Sequence, residues 1–112
     1  MYEVQNAVYT PENVFAGDFP IVTDSVKVGT KKITRLSPVK LVAGKLEPVA
    51  KGADDTATVA DLYGIAADDA DANGEAVIYL TGEFFSSGLA LPADVTAEVL
   101  KPAFRKLGIF LK

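Results

Sequence analysis

Histidine and cysteine are both missing from this chain of 112 residues. Without cysteine there are no disulfides, no thiolate nucleophile and no thiolate zinc site. Without histidine the usual general base, proton shuttle and imidazole metal ligand are gone. Those two gaps remove most hydrolase and metalloenzyme designs. The sequence also lacks an apolar run of about 18 or more residues, and its start shows no basic segment leading into an apolar core. The expectation is a protein that neither spans a membrane nor carries a secretory signal of its own. Bases are scarce in a patterned way. From Gly52 to Glu98 there are ten acids and no Lys or Arg, whereas residues 26–51 hold seven bases against one acid, Glu47. A chain divided like this can offer opposite faces to copies of itself or to a charged partner, although solvated loops that happen to segregate explain the pattern equally well. The basic block has no interleaved aromatic residue for base stacking, and the net charge is −4, so nucleic acid is not an expected partner.

What is present reads as one domain, large enough to bury about two-thirds of its unfolded surface but with little surplus for wide clefts. The first 16 residues, MYEVQNAVYTPENVFA, differ from the rest. Tyr2, Val4, Val8, Tyr9, Val14 and Phe15 are apolar but sparsely set, and Pro11 blocks a continuous helix or central strand. Residues 1–16 are therefore expected to be a flexible, extended N-terminal arm with apolar anchors, and residues 17–112 the folded domain; an edge strand of the protein's own sheet is the competing reading of the arm. In GDFPIVTDSVKVG, β-branched residues and the Val26/Val28 alternation favour strands. Pro38 to Val42 and Lys45 to Val49 read as the arms of a hairpin turning at Ala43-Gly44. GADDTATVA reads as a polar loop, and DLYGIAA as a strand in which Gly64 marks a bulge or a close backbone approach. The strongest strand is EAVIYLTGEFF, with Ala76, Ile78 and Leu80 on one face and Val77, Tyr79 and Thr81 on the other. Both faces are largely apolar, which implies burial on both sides or an oligomer contact on one. Helix is expected only near the end, broken into a turn capped by Asp94 or Thr96 and a second piece led by Pro102, with Gly108 as its stop and IFLK as a closing strand. The fold class is mainly β with a minor α component.

The stretch AADDADANGEAV places Asp69, Asp71, Asn73 and Gly74 at the spacing that opens an EF-hand loop. Its twelfth position, where calcium needs a bidentate Glu, is Leu80, and strand-like sequence flanks it instead of helices. It is read as an acidic turn. Ser86-Ser87-Gly88 lacks a base and a strand–turn–helix setting. The carboxylates of GDFP and GEFF stand alone, Asp54-Asp55 reads as a solvated tip, and Tyr2, Tyr9, Tyr63 and Tyr79 read as packing or interface groups. No catalytic residue, metal ligand or cofactor is expected.

Three stretches taken together carry a resemblance: FAGDFPIVTDSVKV (15–28), GIAADDADANGEAVIYLTGEF (64–84) and LALPADVTAEVLKPAFRKLGIFLK (89–112). In content and order the chain resembles the head decoration proteins of tailed bacteriophages, the family typified by the phage lambda capsid-stabilising protein. The likeness lies in the sequence and spacing of strand and turn patterns over nearly the whole chain. It implies a small β-rich fold with one short helical segment and a capsid-gripping N-terminal arm, which adds a strand to a capsid-protein edge. It implies homotrimers on the outer surface of the virion, bound at local three-fold positions to the major capsid protein after the head expands, and made in the host bacterial cytoplasm. Tyr79, Phe84, Phe85, Leu89, Leu91 and Pro92 are the residues expected at the trimer contact. The rival classes are a small carboxylate-using enzyme, another phage part such as a head fibre or tail-tube module, and a monomeric β-barrel adaptor.

Overall fold

The computed structural model describes residues 20–112. The elements are β1 (Val22–Lys27), β2 (Pro38–Val42), β3 (Lys45–Pro48), α1 (Asp55–Thr58), β4 (Leu62–Ala66), β5 (Glu75–Phe84), a short 3-10 turn (Ser86–Gly88), α2 (Ala97–Arg105) and β6 (Ile109–Leu111). The fold is mainly β, as the sequence leads one to expect. The expected arm, with Tyr2, Val4, Val8, Tyr9, Val14 and Phe15, lies outside the described residues.

The strands form one sheet in the order β1-β5-β4-β2-β3, with β6 also pairing with β5. Neighbours in that order run antiparallel, whereas β6 lies parallel to the end of β5, Gly82 facing Ile109 and Phe84 facing Leu111. The sheet curls until its ends meet. Just past β1, Val28 bridges to Leu46 of β3, and the Gly29 N–H donates to the Leu46 carbonyl at 2.8 Å. One face is thereby turned inward around Val28, Ile33, Val39, Leu46, Ala66 and Ile78, all 1% exposed or less. On the opposite face a second core gathers Ile65, Phe84, Leu100, Phe104, Ile109 and Leu111. Cross-strand pairs respect this division. Ala66 faces Ile78 within the first core, and Ile65 faces Tyr79 at the second.

The two-faced apolar pattern of β5 thus reflects burial on both sides over part of its length. Ala76 and Ile78 are buried on the inner face, Tyr79 is half-buried on the outer one, and Val77 remains 44% exposed. In β4, Gly64 brings its backbone against Tyr79: a Cβ there would collide with the Tyr79 carbonyl oxygen. The register also slips at this point, Val39 facing Gly64 while Lys40 faces Leu62, so Gly64 marks both a close approach and a bulge. The hairpin turns where expected, with Ala43 at φ 52° and Gly44 at φ 79°. Two positive φ values in a two-residue loop give the handedness that suits twisted strands.

Two local expectations are corrected. The loop GADDTATVA contains α1, one helical turn whose cap is Asp54: the Ala57 N–H donates to Asp54 Oδ1 at 2.8 Å. Its Thr58 is buried, its hydroxyl donating to the Asp54 carbonyl and accepting the Gly52 N–H. The C-terminal helix is continuous from Ala97 to Arg105, with Pro102 inside it. Proline has no N–H for the Glu98 carbonyl, but both residues are exposed, so water can take that bond and the helix persists. Its packing face, Leu100 and Phe104, is fully buried, each side chain stabilising by roughly 1.5–3 kcal/mol. In the acidic turn, Asn73 alone takes the positive φ, 65°, and the Gly74 N–H closes back on the Asp71 carbonyl at 3.0 Å.

Candidate interaction surfaces

The residues expected at the trimer contact divide by depth. Phe84 is fully buried, and its ring centroid lies 5.3 Å from that of half-buried Tyr79. Leu89 and Leu91 are half-buried and pack against the same core. Pro92 is half-buried and lines a small groove with Leu91, Pro38 and Pro48. Phe85 is the one aromatic of this set that is exposed, at 37%. It continues the chain beyond the Phe84–Leu111 pair and precedes Ser86, whose N–H and hydroxyl both donate to the Lys112 carbonyl. The Phe84 side chain therefore serves the protomer's own core, and Phe85 carries the exposed surface.

Other exposed aliphatic groups sit elsewhere. Ile21, just before the first strand, and Val22, its first residue, are 45% and 49% exposed, and Val77 faces outward beside Ser25. A period-two pattern signals a strand but not which apolar side chains lack cover, and this is why they were not legible as surface.

Charge is redistributed by the fold. The basic loop and the acidic turn, distant in sequence, are laced together: Ile33 and Ala70 exchange backbone hydrogen bonds at 2.8 and 3.0 Å, and the Asn73 N–H donates to the Gly29 carbonyl at 2.8 Å. The Arg35 N–H donates to Asp69 Oδ1 at 2.8 Å, and the Asp69 N–H to Asp68 Oδ1. Lys32, Asp69 and Asp71 share one shallow groove, and Lys40 stands directly opposite Glu47 in the hairpin. The basic loop and the acidic turn therefore neighbour each other within one protomer.

The helix α2 separates two further grooves. One, of about 460 Å³, runs between α1 and α2, with Asp55 and Glu98 among its polar groups and Val59, Val99 and Ala103 among its apolar ones. The other, of about 400 Å³, lies on the opposite flank of the helix and is lined by Lys101, Arg105, Phe110, Leu111 and Lys112. The carboxylates of Asp54 and Asp69 are engaged as hydrogen-bond acceptors for backbone N–H groups. Among the described residues no group of three or more acidic side chains is placed to hold a metal ion, and no helix is long and apolar enough to cross a membrane. These surfaces combine apolar side chains with exposed charge. Neither a family model nor a curated protein matches the sequence.

Proposed function

We propose that this protein is a decoration protein of a tailed-phage head, working by adhesion: a homotrimer seated at local three-fold positions on the outside of the expanded shell, where it clamps major capsid subunits against internal DNA pressure. The observation that carries the reading is the ordered resemblance over residues 15–28, 64–84 and 89–112. In the folded chain the described parts of those segments are β1, the β4–β5 pair, and α2 with β6, which together build the β5-centred framework and its second core. The β-rich fold, the shallow grooves and the exposed Phe85, Ile21 and Val22 also suit a protein that acts only by contact.

Residues 1–16 are assigned to the grip on the shell. Their period-two pairs, such as Tyr2/Val4, suit strand addition, in which backbone hydrogen bonds hold and side chains set the register. Ordering such a segment costs roughly 1–2 kcal/mol per residue in backbone entropy, so a single arm binds weakly. Three arms on one particle make the later attachments intramolecular, which raises avidity by about 10²–10⁴.

The test is to incubate the purified protein with expanded, undecorated capsids and image the particles by electron microscopy. Added density at the local three-fold positions is the expected result. Bare shells overturn the reading, and density confined to a fibre or tail site replaces it with the head-fibre or tail-tube alternative. Light scattering in dilute solution should return three times the mass of one chain; a monomer would favour the adaptor.

A further inference from the structure

We propose that Asn73 is a site of self-modification: its side-chain amide is lost through attack by the Gly74 backbone nitrogen, the folded turn restrains that attack, and the isoaspartate product unlaces the acidic turn from the Gly29 loop. This chemistry is independent of adhesion to a shell.

The chain has three asparagines, and Asn73 alone precedes a glycine; Asn6 precedes Ala7, and Asn13 precedes the β-branched Val14. Asparagine is among the thermolabile residues. A following glycine leaves the next backbone nitrogen uncovered and free to bend toward the side chain. Asn73 is exposed in the turn, and among the described residues its side-chain amide makes no hydrogen bond.

The Gly74 nitrogen passes its proton to solvent and bonds to Cγ of Asn73. The bond from Cγ to the side-chain nitrogen breaks, and that nitrogen takes up a proton and leaves as ammonia. A five-membered succinimide ring remains. Water then opens the ring at one of its two carbonyl carbons, giving aspartate or isoaspartate. The sum is amide plus water to carboxylic acid plus ammonia, with no oxidant or reductant.

The fold holds the nucleophile away from this path. The Gly74 N–H donates to the Asp71 carbonyl at 3.0 Å, the Asn73 N–H to the Gly29 carbonyl at 2.8 Å, and the Val28 N–H to the Gly74 carbonyl at 2.8 Å. Ring closure turns the Gly74 peptide toward its neighbour's side chain and so breaks the bond to Asp71. The turn is at the surface, so this needs local opening and not global unfolding. In isoaspartate the main chain runs through Cβ and Cγ, which inserts one extra carbon between the Asn73 N–H and the Gly74 carbonyl. The bonds to Gly29 and Val28 then lose their common register. Val28 is 1% exposed in the inner core, so its amide reports the loss.

The experiment incubates the full chain in mildly alkaline buffer, with and without urea, and follows all three asparagines by peptide mass mapping and isoaspartate-specific methylation. Asn73 should convert ahead of Asn6 and Asn13, and at least about tenfold faster in urea than in the folded protein. Gly74→Ala should slow conversion about tenfold or more in urea, where folded geometry plays no part. A Cβ there meets the Asp71 carbonyl oxygen at 3.2 Å, which an exposed turn can absorb by a small shift. Asn73→Asp carries the product's charge on an ordinary backbone. Aspartate already takes positive φ at Asp61 and Asp94, so this variant should keep slow hydrogen exchange at the Val28 amide. The isoaspartate form should exchange there at least about tenfold faster. Asn73 that stays intact in urea, or a Gly74→Ala variant that converts as fast as wild type, overturns the modification. Equal rates with and without urea overturn the restraint by the fold. An isoaspartate form with Val28 still protected overturns the unlacing.

Discussion

At Gly64 a single added methyl group has nowhere to go. The obstacle is the carbonyl oxygen of Tyr79, part of the backbone of the central strand, and it cannot rotate aside as a side-chain tip could. Gly64→Ala should therefore cost about 2–3 kcal/mol, read as a lower urea midpoint with an unchanged slope. A loss below about 0.5 kcal/mol would mean that β4 shifts freely against β5 and that the contact is not a constraint. The close approach was legible in the sequence because an isolated glycine within an apolar strand has few other uses. Its neighbour in the argument, Phe84, was not. A large aromatic at the end of an apolar strand gives the same sequence signal whether it fills the protomer's core or meets another copy. Only the arrival of Leu100, Phe104 and Ile109 around it settles the matter. Phe85, one residue on, faces solvent because successive side chains along a strand alternate. Asp54 shows the same difficulty at a polar position: alone it reads as a solvated tip, and its role appears only when Ala57 N–H is found on its carboxylate.

Elements set by local chemistry were readable, and elements set by distant contacts were less so. The β2–β3 hairpin needs only its two-residue turn and its flanking alternation, and β5 needs only its own pattern. The parallel placement of β6 and the meeting of Val28 with Leu46 depend on which strands become neighbours, a choice that period-two patterning does not encode. The helix α2 falls between these cases. Proline is a strong breaker on average, and a break at Pro102 was the reasonable expectation. The helix runs through it because Leu100 and Phe104, on either side of the proline, are both anchored in the second core and the unpaired Glu98 carbonyl faces water. This makes Pro102 a cost that packing offsets. Pro102→Ala restores a donor for the Glu98 carbonyl and removes the ring, at the expense of the stiffness proline gives the unfolded chain. The net expectation is a gain of about 1–2 kcal/mol, seen as a higher melting temperature. A lower melting temperature would show that the ring's contacts beside Val99 and Ala103 matter more than the missing hydrogen bond.

For the whole molecule, the proposed adhesion divides the work between a folded body and a leading segment. The body has two cores, one inside the curled sheet and one beneath α2, and both are assembled from residues beyond Val28 or from the strands themselves. On that division of work, removing residues 1–15 should leave the folded body standing. Deleting residues 1–15 should then give a protein with an unchanged circular dichroism spectrum that is still a trimer by light scattering, yet no longer coats expanded capsids. The size of the loss follows from multivalency. With each arm contributing weakly and the second and third attachments gaining from proximity, removing all arms takes away the factor of about 10²–10⁴ as well as the individual contacts. Coating should therefore vanish at concentrations where the full chain saturates the shell. Full coating by the truncated protein would assign the grip to the body, with Phe85, Ile21 and Val22 as its first candidates. A truncated protein that falls to monomers would instead place the segment within the trimer, and strand addition to the shell would no longer be its task.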